Sequence, residues 1–411
     1  MQMKRVVITG MGAVSPYGRG VAPLLGSLIE GKSGIRRVDK LAEIQGLRCR
    51  VAGLVPGIDP REIPRKYRRS MSNMSIFAVF ACGEALQQAG LGTEECAGGQ
   101  MGVAIGSTTG SIQATQEFFE NFLNTGGLEQ MKSTVFFKIM NHSCAANISK
   151  FLGITGRILS PSAACSTSCQ ALGYGYEMIA FGRQQYMLCG GADEFHALTA
   201  GAFDVLNAAS FKFNEQPHRT PRPFDRDRDG VVCSEGSGII LLESLDSARK
   251  RGVPILGEII GFSTVSDPKS IANPDADFIE LCMREALNDA GIEPQQIDYI
   301  NAHATGTVQG DLAESAAIYK LFGNNTPVSS FKGHLGHTLA ASGALELCAV
   351  VGMLDQQCLI PTLNLDNVDE SCKHIRHVQL LRTEKLQTAI KNNFALGGVN
   401  SSLVIRSYQN D

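Results

Sequence analysis

Glu84-Ala85-Leu86-Gln87-Gln88-Ala89-Gly90-Leu91 has an echo far downstream in Glu285-Ala286-Leu287-Asn288-Asp289-Ala290-Gly291-Ile292. Each stretch reads as the end of a helix stopped by glycine. Each is followed by an apolar strand that ends in a polar, glycine-containing turn. The first is Met101-Gly102-Val103-Ala104-Ile105-Gly106-Ser107-Thr108-Thr109-Gly110, and the second is Ile297-Asp298-Tyr299-Ile300-Asn301-Ala302-His303-Ala304-Thr305-Gly306. Two echoes in one order predict duplicated α/β halves. The join is expected near Arg251-Gly252-Val253-Pro254, giving halves 1–252 and 253–411. Strand and helix patterns alternate in both, which predicts a mixed or parallel sheet covered by helices.

The 411 residues exceed what one core usually serves, in keeping with two halves. A hydrophobic share of 44% and a charged share of 19% are an ordinary globular balance. The net charge of −3 argues against nucleic acid as the main partner. The 12 cysteines follow no disulfide framework, and Cys165 with Cys169 is the only close pair, so neither a zinc site nor any other metal site is expected. Reduced thiols fit a cytoplasmic protein. Lys4-Arg5-Val6-Val7-Ile8-Thr9-Gly10 reads as a strand rather than a signal peptide. No uninterrupted apolar run has the length of a membrane span. Gly10-Met11-Gly12 hints at a dinucleotide fingerprint, but Ser15 stands where the third glycine belongs. A tight strand-to-loop turn is the better account.

Three residues carry the chemistry. Cys165 lies in Ser160-Pro161-Ser162-Ala163-Ala164-Cys165-Ser166-Thr167-Ser168, just before a helix with Cys169, Leu172, Tyr176, Ile179 and Ala180 at helical spacing. A lone intracellular cysteine is by default a small buried hydrophobe. At the positive end of a helix dipole, however, the thiolate is favoured. The helix is also rich in small residues, Ala171, Gly173 and Gly175, which suits close packing at the molecule's centre. His303 falls at the C-terminal end of a strand, and His337, in Lys332-Gly333-His334-Leu335-Gly336-His337, opens an apolar helix through Leu345, Leu347, Val350 and Leu354. A lone histidine is usually a satisfied core or surface residue. Strand ends and helix starts are nevertheless where α/β proteins place active sites.

Ala164-Cys165-Ser166-Thr167-Ser168, Asn301-Ala302-His303-Ala304-Thr305-Gly306-Thr307 and Lys332 ahead of Gly336-His337 resemble the elongating β-ketoacyl-acyl-carrier-protein synthases of the thiolase superfamily. The ending Asn393-Phe394-Ala395-Leu396-Gly397-Gly398-Val399-Asn400 and the Arg222–Gly230 segment are similar too. The resemblance spans essentially the whole chain. It implies a duplicated five-layer α/β/α/β/α fold, a dimer, and a ping-pong decarboxylative condensation. Cys165 would carry the acyl group, and His303 and His337 would stabilise the enolate of malonyl-carrier protein. The backbone N–H groups of Cys165 and Leu396 would form the oxyanion hole. Lys332 would join Asp311 and Glu314 in a buried network, while Thr305 and Thr307 would hold the pantetheine arm. Thr109 and Leu396 would line the acyl pocket. Arg65, Lys66, Arg68 and Arg69 would dock the acidic acyl carrier protein, with Lys212 a weaker addition. No cofactor beyond the carrier's phosphopantetheine is implied. His334 falls outside the pattern and reads as incidental.

The cysteine and both histidines set the chain apart from relatives. An initiating synthase would show Asn for the second His. A thiolase would show a second cysteine near Gly397-Gly398. A chain-length factor would lack the nucleophile; a non-catalytic chain-length subunit or carrier-binding scaffold is the alternative reading. Departures concern substrate choice: Leu396 stands for the usual gating Phe, Ala395 and Ala304 for glycines, and polar Thr109 for an apolar residue or glycine. These point to a specialised polyketide or polyene enzyme, as homodimer or as heterodimer with a chain-length factor.

Overall fold

The computed structural model describes residues 3–129 and 131–409. Ten strands form its frame: β1 (Val6–Ser15), β2 (Met101–Gly106), β3 (Ile158–Leu159), β4 (Tyr186–Asp193), β5 (Gly236–Ser244), β6 (Gly257–Ser266), β7 (Tyr299–Asn301), β8 (Pro327–Ser329), β9 (Thr388–Ala395) and β10 (Val399–Arg406). The first five lie in the order β3-β2-β4-β5-β1, and the second five repeat it as β8-β7-β9-β10-β6. Counted in chain order, the strands of both sets pair by the same rule. The second strand pairs in parallel with its two neighbours, and the fifth pairs antiparallel with both of its own. The two sets meet edge to edge where β1 pairs with β6, Val6 opposite Ile259.

The helices repeat as well. α1 (Asn73–Ala89) packs on β1, β5 and β4, and α3 (Ala276–Ala290) packs on the matching β6, β10 and β9. Between the two sets of strands run α2 (Thr167–Ala180) and α5 (Ser342–Gln356), each touching strands of both halves. α4 (Val308–Phe322) lies against α3 on the outside. These are the five layers of the thiolase-like fold.

The sequence echo is a pair of identical helix stops. α1 ends at Gly90 (φ 62°) and α3 at Gly291 (φ 64°), both left-handed. Leu91 N–H then donates to the Leu86 carbonyl and Ile292 N–H to the Leu287 carbonyl, closing the last turn in the same way.

Gly10 and Gly12 are not in a turn. Both lie inside β1, under α1, where an added Cβ would sit 2.1 Å from the Ala85 carbonyl and 1.9 Å from that of Ala81. Their spacing is a helix-packing device, which explains the missing third glycine. The centre of the molecule is equally tight: a Cβ on Gly175 would meet Cys189 Sγ at 2.1 Å, and one on Gly343 would meet Cys169 N at 2.7 Å. All 12 cysteines are free thiols. The stretch Leu339–Gln356 has the length and apolarity of a membrane span, but 89% of it is buried within the fold, as the central helix of a layered protein should be.

Candidate active site

Cys165 sits on the turn Ala164–Ser166 that leads into α2. Ala164 adopts a left-handed φ of 46°, a strained conformation for a residue with a side chain. The Ser166 hydroxyl anchors the turn from below, 2.9 Å from the Asn393 carbonyl and 2.7 Å from that of Val399. The second half repeats the device: Leu339, φ 52°, stands at the same distance before α5 as Ala164 before α2. The topological counterpart of Cys165 is therefore Ala340. His337 comes just before that second turn and reaches across to the first.

His337 Nε2 lies 2.8 Å from Cys165 Sγ. On the other side of the ring, the Leu339 N–H donates to Nδ1 at 3.1 Å, with the Ser342 hydroxyl 3.0 Å away. A neutral imidazole that accepts at Nδ1 carries its proton on Nε2. His337 thus aims an N–H at the sulfur. The backbone N–H groups of Leu396 and of Cys165 itself also hydrogen-bond to that sulfur. His303 emerges from the end of β7, its ring centroid 5.4 Å from that of His337 and the rings nearly perpendicular at 81°. All three side chains are buried.

Burial dominates the electrostatics. It pushes the Cys165 thiol up to about 11, against the downward pull of Lys332 and the two backbone N–H groups. Desolvation of the charged form outweighs those pulls, so the neutral thiol is the resting form. Burial, reinforced by the charges of Lys332 and Lys391, holds both His303 and His337 well below the ordinary imidazole range. Both rings are neutral N–H donors near pH 7. Alkylation of Cys165 by iodoacetamide, followed by mass spectrometry, should therefore rise about tenfold per pH unit between pH 7 and 9. A rate already level at pH 7 would reveal a preformed thiolate instead.

The loop bearing His303 is fixed by carboxylates. Glu314 accepts the N–H groups of His303 (2.8 Å) and Ala304 (2.6 Å). Asp311 accepts those of Phe224 (2.7 Å) and Gly306 (3.1 Å). The charge of Lys332 pulls the Glu314 carboxyl down, within the expected network, but its direct ion pair lies elsewhere. Its ammonium donates to Glu346 Oε1 at 2.6 Å, and Glu346 Oε2 takes Lys391 at 2.6 Å. Asp311 and Glu314 are occupied by backbone donors, and Glu346 projects from α5 to meet both lysines. Sequence reading missed Glu346, Lys391 and Asn393. The one signal was the polar run Lys391-Asn392-Asn393 inside the strand Thr388–Ala395.

A cavity of about 280 Å³ opens onto Cys165, His303 and His337 and is lined also by Thr305, Thr307 and Leu396. The Thr305 and Thr307 hydroxyls are 3.1 Å apart. Leu396 stands at the mouth, 42% exposed. Beside it, the Gly397 N–H donates to the Ile271 carbonyl and the Asp267 N–H to that of Gly398, tying the rim loop 267–274 to the Gly397-Gly398 turn. Gly398 must be glycine there: φ is 73° and an added Cβ would lie 2.1 Å from the Asp267 carbonyl. Thr109 is not brought to this cavity; it is exposed at the turn after β2. Arg65, Lys66 and Arg68 form the short helix Arg65–Arg68, followed by Arg69; Arg65, Lys66 and Arg69 are exposed and Arg68 half-buried. Lys212 is exposed too, its N–H donating to Asp229, a residue of the cavity wall.

Residues 3–248 match the family described as Beta-ketoacyl synthase, N-terminal domain, and residues 256–366 the corresponding C-terminal domain. Among curated proteins, 3-oxoacyl-[acyl-carrier-protein] synthase 1 of Haemophilus influenzae is 34% identical, over 99% of this chain and 100% of that one. The Escherichia coli protein of the same name is also 34% identical, over 98% and 99%. Among solved structures, a beta-ketoacyl synthase from Burkholderia phymatum superposes with a TM-score of 0.96 at 40% identity, covering 99% of this chain and 100% of that one. A chain of a structure described as a type II polyketide synthase acyl-carrier protein in complex with its ketosynthase bound to the hexaketide gives 0.88 at 30%, over 99% and 100%. With the Cys165–His303–His337 cluster in place, the chain belongs to the β-ketoacyl synthase family and is an acyltransferase of its Cys-His-His type.

Proposed function

We propose that this enzyme joins a Cys165-bound acyl chain to a malonyl unit on acyl carrier protein, releasing CO2 and a 3-oxoacyl-carrier protein. The observation that carries the reading is one sulfur facing His337 Nε2 at 2.8 Å and two backbone N–H groups, with His303 alongside. In the first step the Cys165 sulfur attacks the acyl thioester. The backbone N–H groups of Cys165 and Leu396 receive the oxyanion, and the thiol proton leaves with the pantetheine sulfur. In the second, the malonyl carboxylate leaves as CO2, and its electron pair passes into the thioester enolate. Two neutral N–H donors, His303 and His337, stabilise that oxygen more than the ground-state carbonyl, which is what lowers the barrier. The carbanion forms the new C–C bond, the C–Sγ bond breaks, and the thiolate regains a proton.

Thr305 and Thr307, in the wall of the same cavity, hold the pantetheine arm. Leu396 is the gate of the acyl pocket. Glu314 supports His303 through its backbone N–H, and Asp311 supports the same loop through that of Gly306. The first half, 1–252, supplies the nucleophile and the second, 253–411, both imidazoles. The site works without a cofactor of its own and without a metal. The donor atoms of the triad lie within 4.8 Å of one another, but Lys332 and Lys391 already place positive charge there and disfavour a further cation.

The enzyme works as a cytoplasmic dimer, of two copies or with a chain-length factor. A ketosynthase/chain length factor for ishigamide, 29% identical, has a TM-score of 0.91 over 99% of this chain and 100% of that one. The edge strand β3 with exposed Ile158, and the exposed Phe119, Phe122 and Phe136, suit such pairing. Leu396 and the other departures favour a specialised polyketide or polyene chain over a primary fatty acid.

Mass spectrometry of the protein after acyl-carrier protein is added should find the acyl mass on the Cys165 peptide, and malonyl-carrier protein should then discharge it as a 3-oxoacyl product. No acyl mass on Cys165 would favour the non-catalytic subunit. Reversing charge at Arg65, Lys66 and Arg69 together should raise KM for the carrier by about tenfold or more, chiefly at low salt, with kcat little changed.

A further inference from the structure

Lys391 lies in the middle of β9 with no exposed surface. An ammonium in such a place needs oxygen on every side, and Lys391 has it. Nζ donates to Glu346 Oε2 at 2.6 Å, to the Asn392 carbonyl at 2.9 Å and to Asn393 Oδ1 at 2.5 Å. Together with Lys332 on Glu346 Oε1, this is a buried group of two ammoniums and one carboxylate, with an excess positive charge beside the two imidazoles.

The Asn393 contact carries information. An ammonium has three donors and no acceptor. The Asn393 atom facing it must therefore be the amide oxygen, and the amide nitrogen must point the other way. On that side Asn393 Nδ2 meets His303 Nδ1 at 3.5 Å. An NH2 group there can only donate, so Nδ1 accepts and the ring proton sits on Nε2. Leu339 imposes the same tautomer on His337 through a backbone N–H. Among the described residues, no backbone N–H donates to His303 Nδ1. Without the lysine the Asn393 amide is free to turn, and its oxygen would then favour the opposite tautomer, with Nδ1–H and a bare Nε2.

We propose that Lys391 is a positioning residue for the decarboxylating step: it orients the Asn393 amide, which fixes His303 as the Nε2–H tautomer that donates to the enolate. The proposal rests on the assignment of His303 to that step. Lys391 touches neither substrate nor sulfur, so acyl loading does not depend on it in the same way.

The test compares Lys391→Met, Asn393→Leu and wild type in three readouts. Condensation with malonyl-carrier protein should fall by about 10² in both variants, the scale of losing one oriented donor, and acylation of Cys165 by less than about threefold. The ¹⁵N spectrum of the histidines should show His303 as pure Nε2–H in wild type and as a mixture of tautomers in both variants. In Lys391→Ala, ammonium chloride at high concentration should restore part of the condensation rate, and sodium chloride should not. An unchanged His303 tautomer in Lys391→Met, or equal losses in acylation and condensation, would show a purely structural lysine and overturn the proposal. If wild type failed to decarboxylate malonyl thioesters while the tautomer shift still appeared, the functional assignment would fall and the positioning role would stand.

Discussion

Cys165→Ala should lose condensation by a factor on the order of 10⁴ or more, the scale on which removal of a covalent nucleophile acts, and should still decarboxylate malonyl-carrier protein. The two outcomes follow from a division of labour within a few ångströms. Among the described residues that line the cavity, the Cys165 sulfur is the one thiol. It alone is met by two backbone N–H groups and an imidazole Nε2–H. The imidazoles, by contrast, keep their neutral donors whether or not the sulfur is present. Nδ1 of His337 is tied to Leu339 and Nδ1 of His303 faces Asn393, and neither contact involves Cys165. Alanine removes the carrier of the acyl chain and leaves the enolate site standing. In His303→Ala and His337→Ala the pattern should reverse: Cys165 still takes up the acyl group, and decarboxylation drops by about 10²–10³. Release of ¹⁴CO2 from labelled malonyl-carrier protein, beside mass analysis of the Cys165 peptide, separates the two. Condensation surviving in Cys165→Ala would mean that the acyl group rides elsewhere.

The duplication was legible because helix stops are local. Gly90 and Gly291 each need a left-handed residue after a helix, and the chain states that need in a few letters. The strained turns at Ala164 and Leu339 are the same kind of repeat in space, yet Ala164-Cys165-Ser166 and Leu339-Ala340-Ala341 share too little sequence to be matched by eye. Of the site, the chain gave up the groups that do chemistry, Cys165, His303 and His337, because they sit at strand ends and helix starts. It concealed what holds them. Glu346 reads as a polar position on a helix and Lys391 as the outward side of a strand; both are buried because α5 lies between two sets of strands. Charge pairing across the Glu346–Lys391 contact is a tertiary event with no local signature. The same gap hid the direct partner of Lys332, which is Glu346, while its charge still acts on Glu314. The thiol shows the same limit: the helix start is visible in sequence, and the depth of burial that opposes the thiolate is not.

Glu346→Gln should destabilise the fold by about 3–5 kcal/mol, the cost of breaking a buried charge pair from one side. Glu346 is fully buried, and burial alone would raise its pKa; Lys332 and Lys391 outweigh that and hold it below the usual carboxylate range. The carboxylate accepts one ammonium on each oxygen at 2.6 Å. Glutamine keeps the shape and one acceptor and leaves two ammoniums facing each other in a dry core. The sign of the pH effect follows. Burial already lowers Lys391 in the wild type, and loss of Glu346 lowers it further. Between that depressed folded value and the ordinary lysine value near 10.4, the unfolded chain binds more protons than the folded one. Stability of the variant should therefore rise with pH relative to wild type as pH climbs from 8 towards 10, and the deficit should be largest at and below neutral pH. Urea unfolding at pH 7 and pH 9.5 measures both. A loss below about 1 kcal/mol at pH 7 would place the pair among weakly coupled surface-like bridges and remove the reason for two lysines to share one carboxylate. The triple replacement Lys332→Met, Glu346→Leu and Lys391→Met should recover most of the stability, since apolar residues of similar volume often match a buried ionic group. It should not recover condensation, because nothing then turns the Asn393 amide towards His303. A stable, acyl-loading enzyme that no longer condenses is the outcome that separates what these charges do for folding from what they do for catalysis.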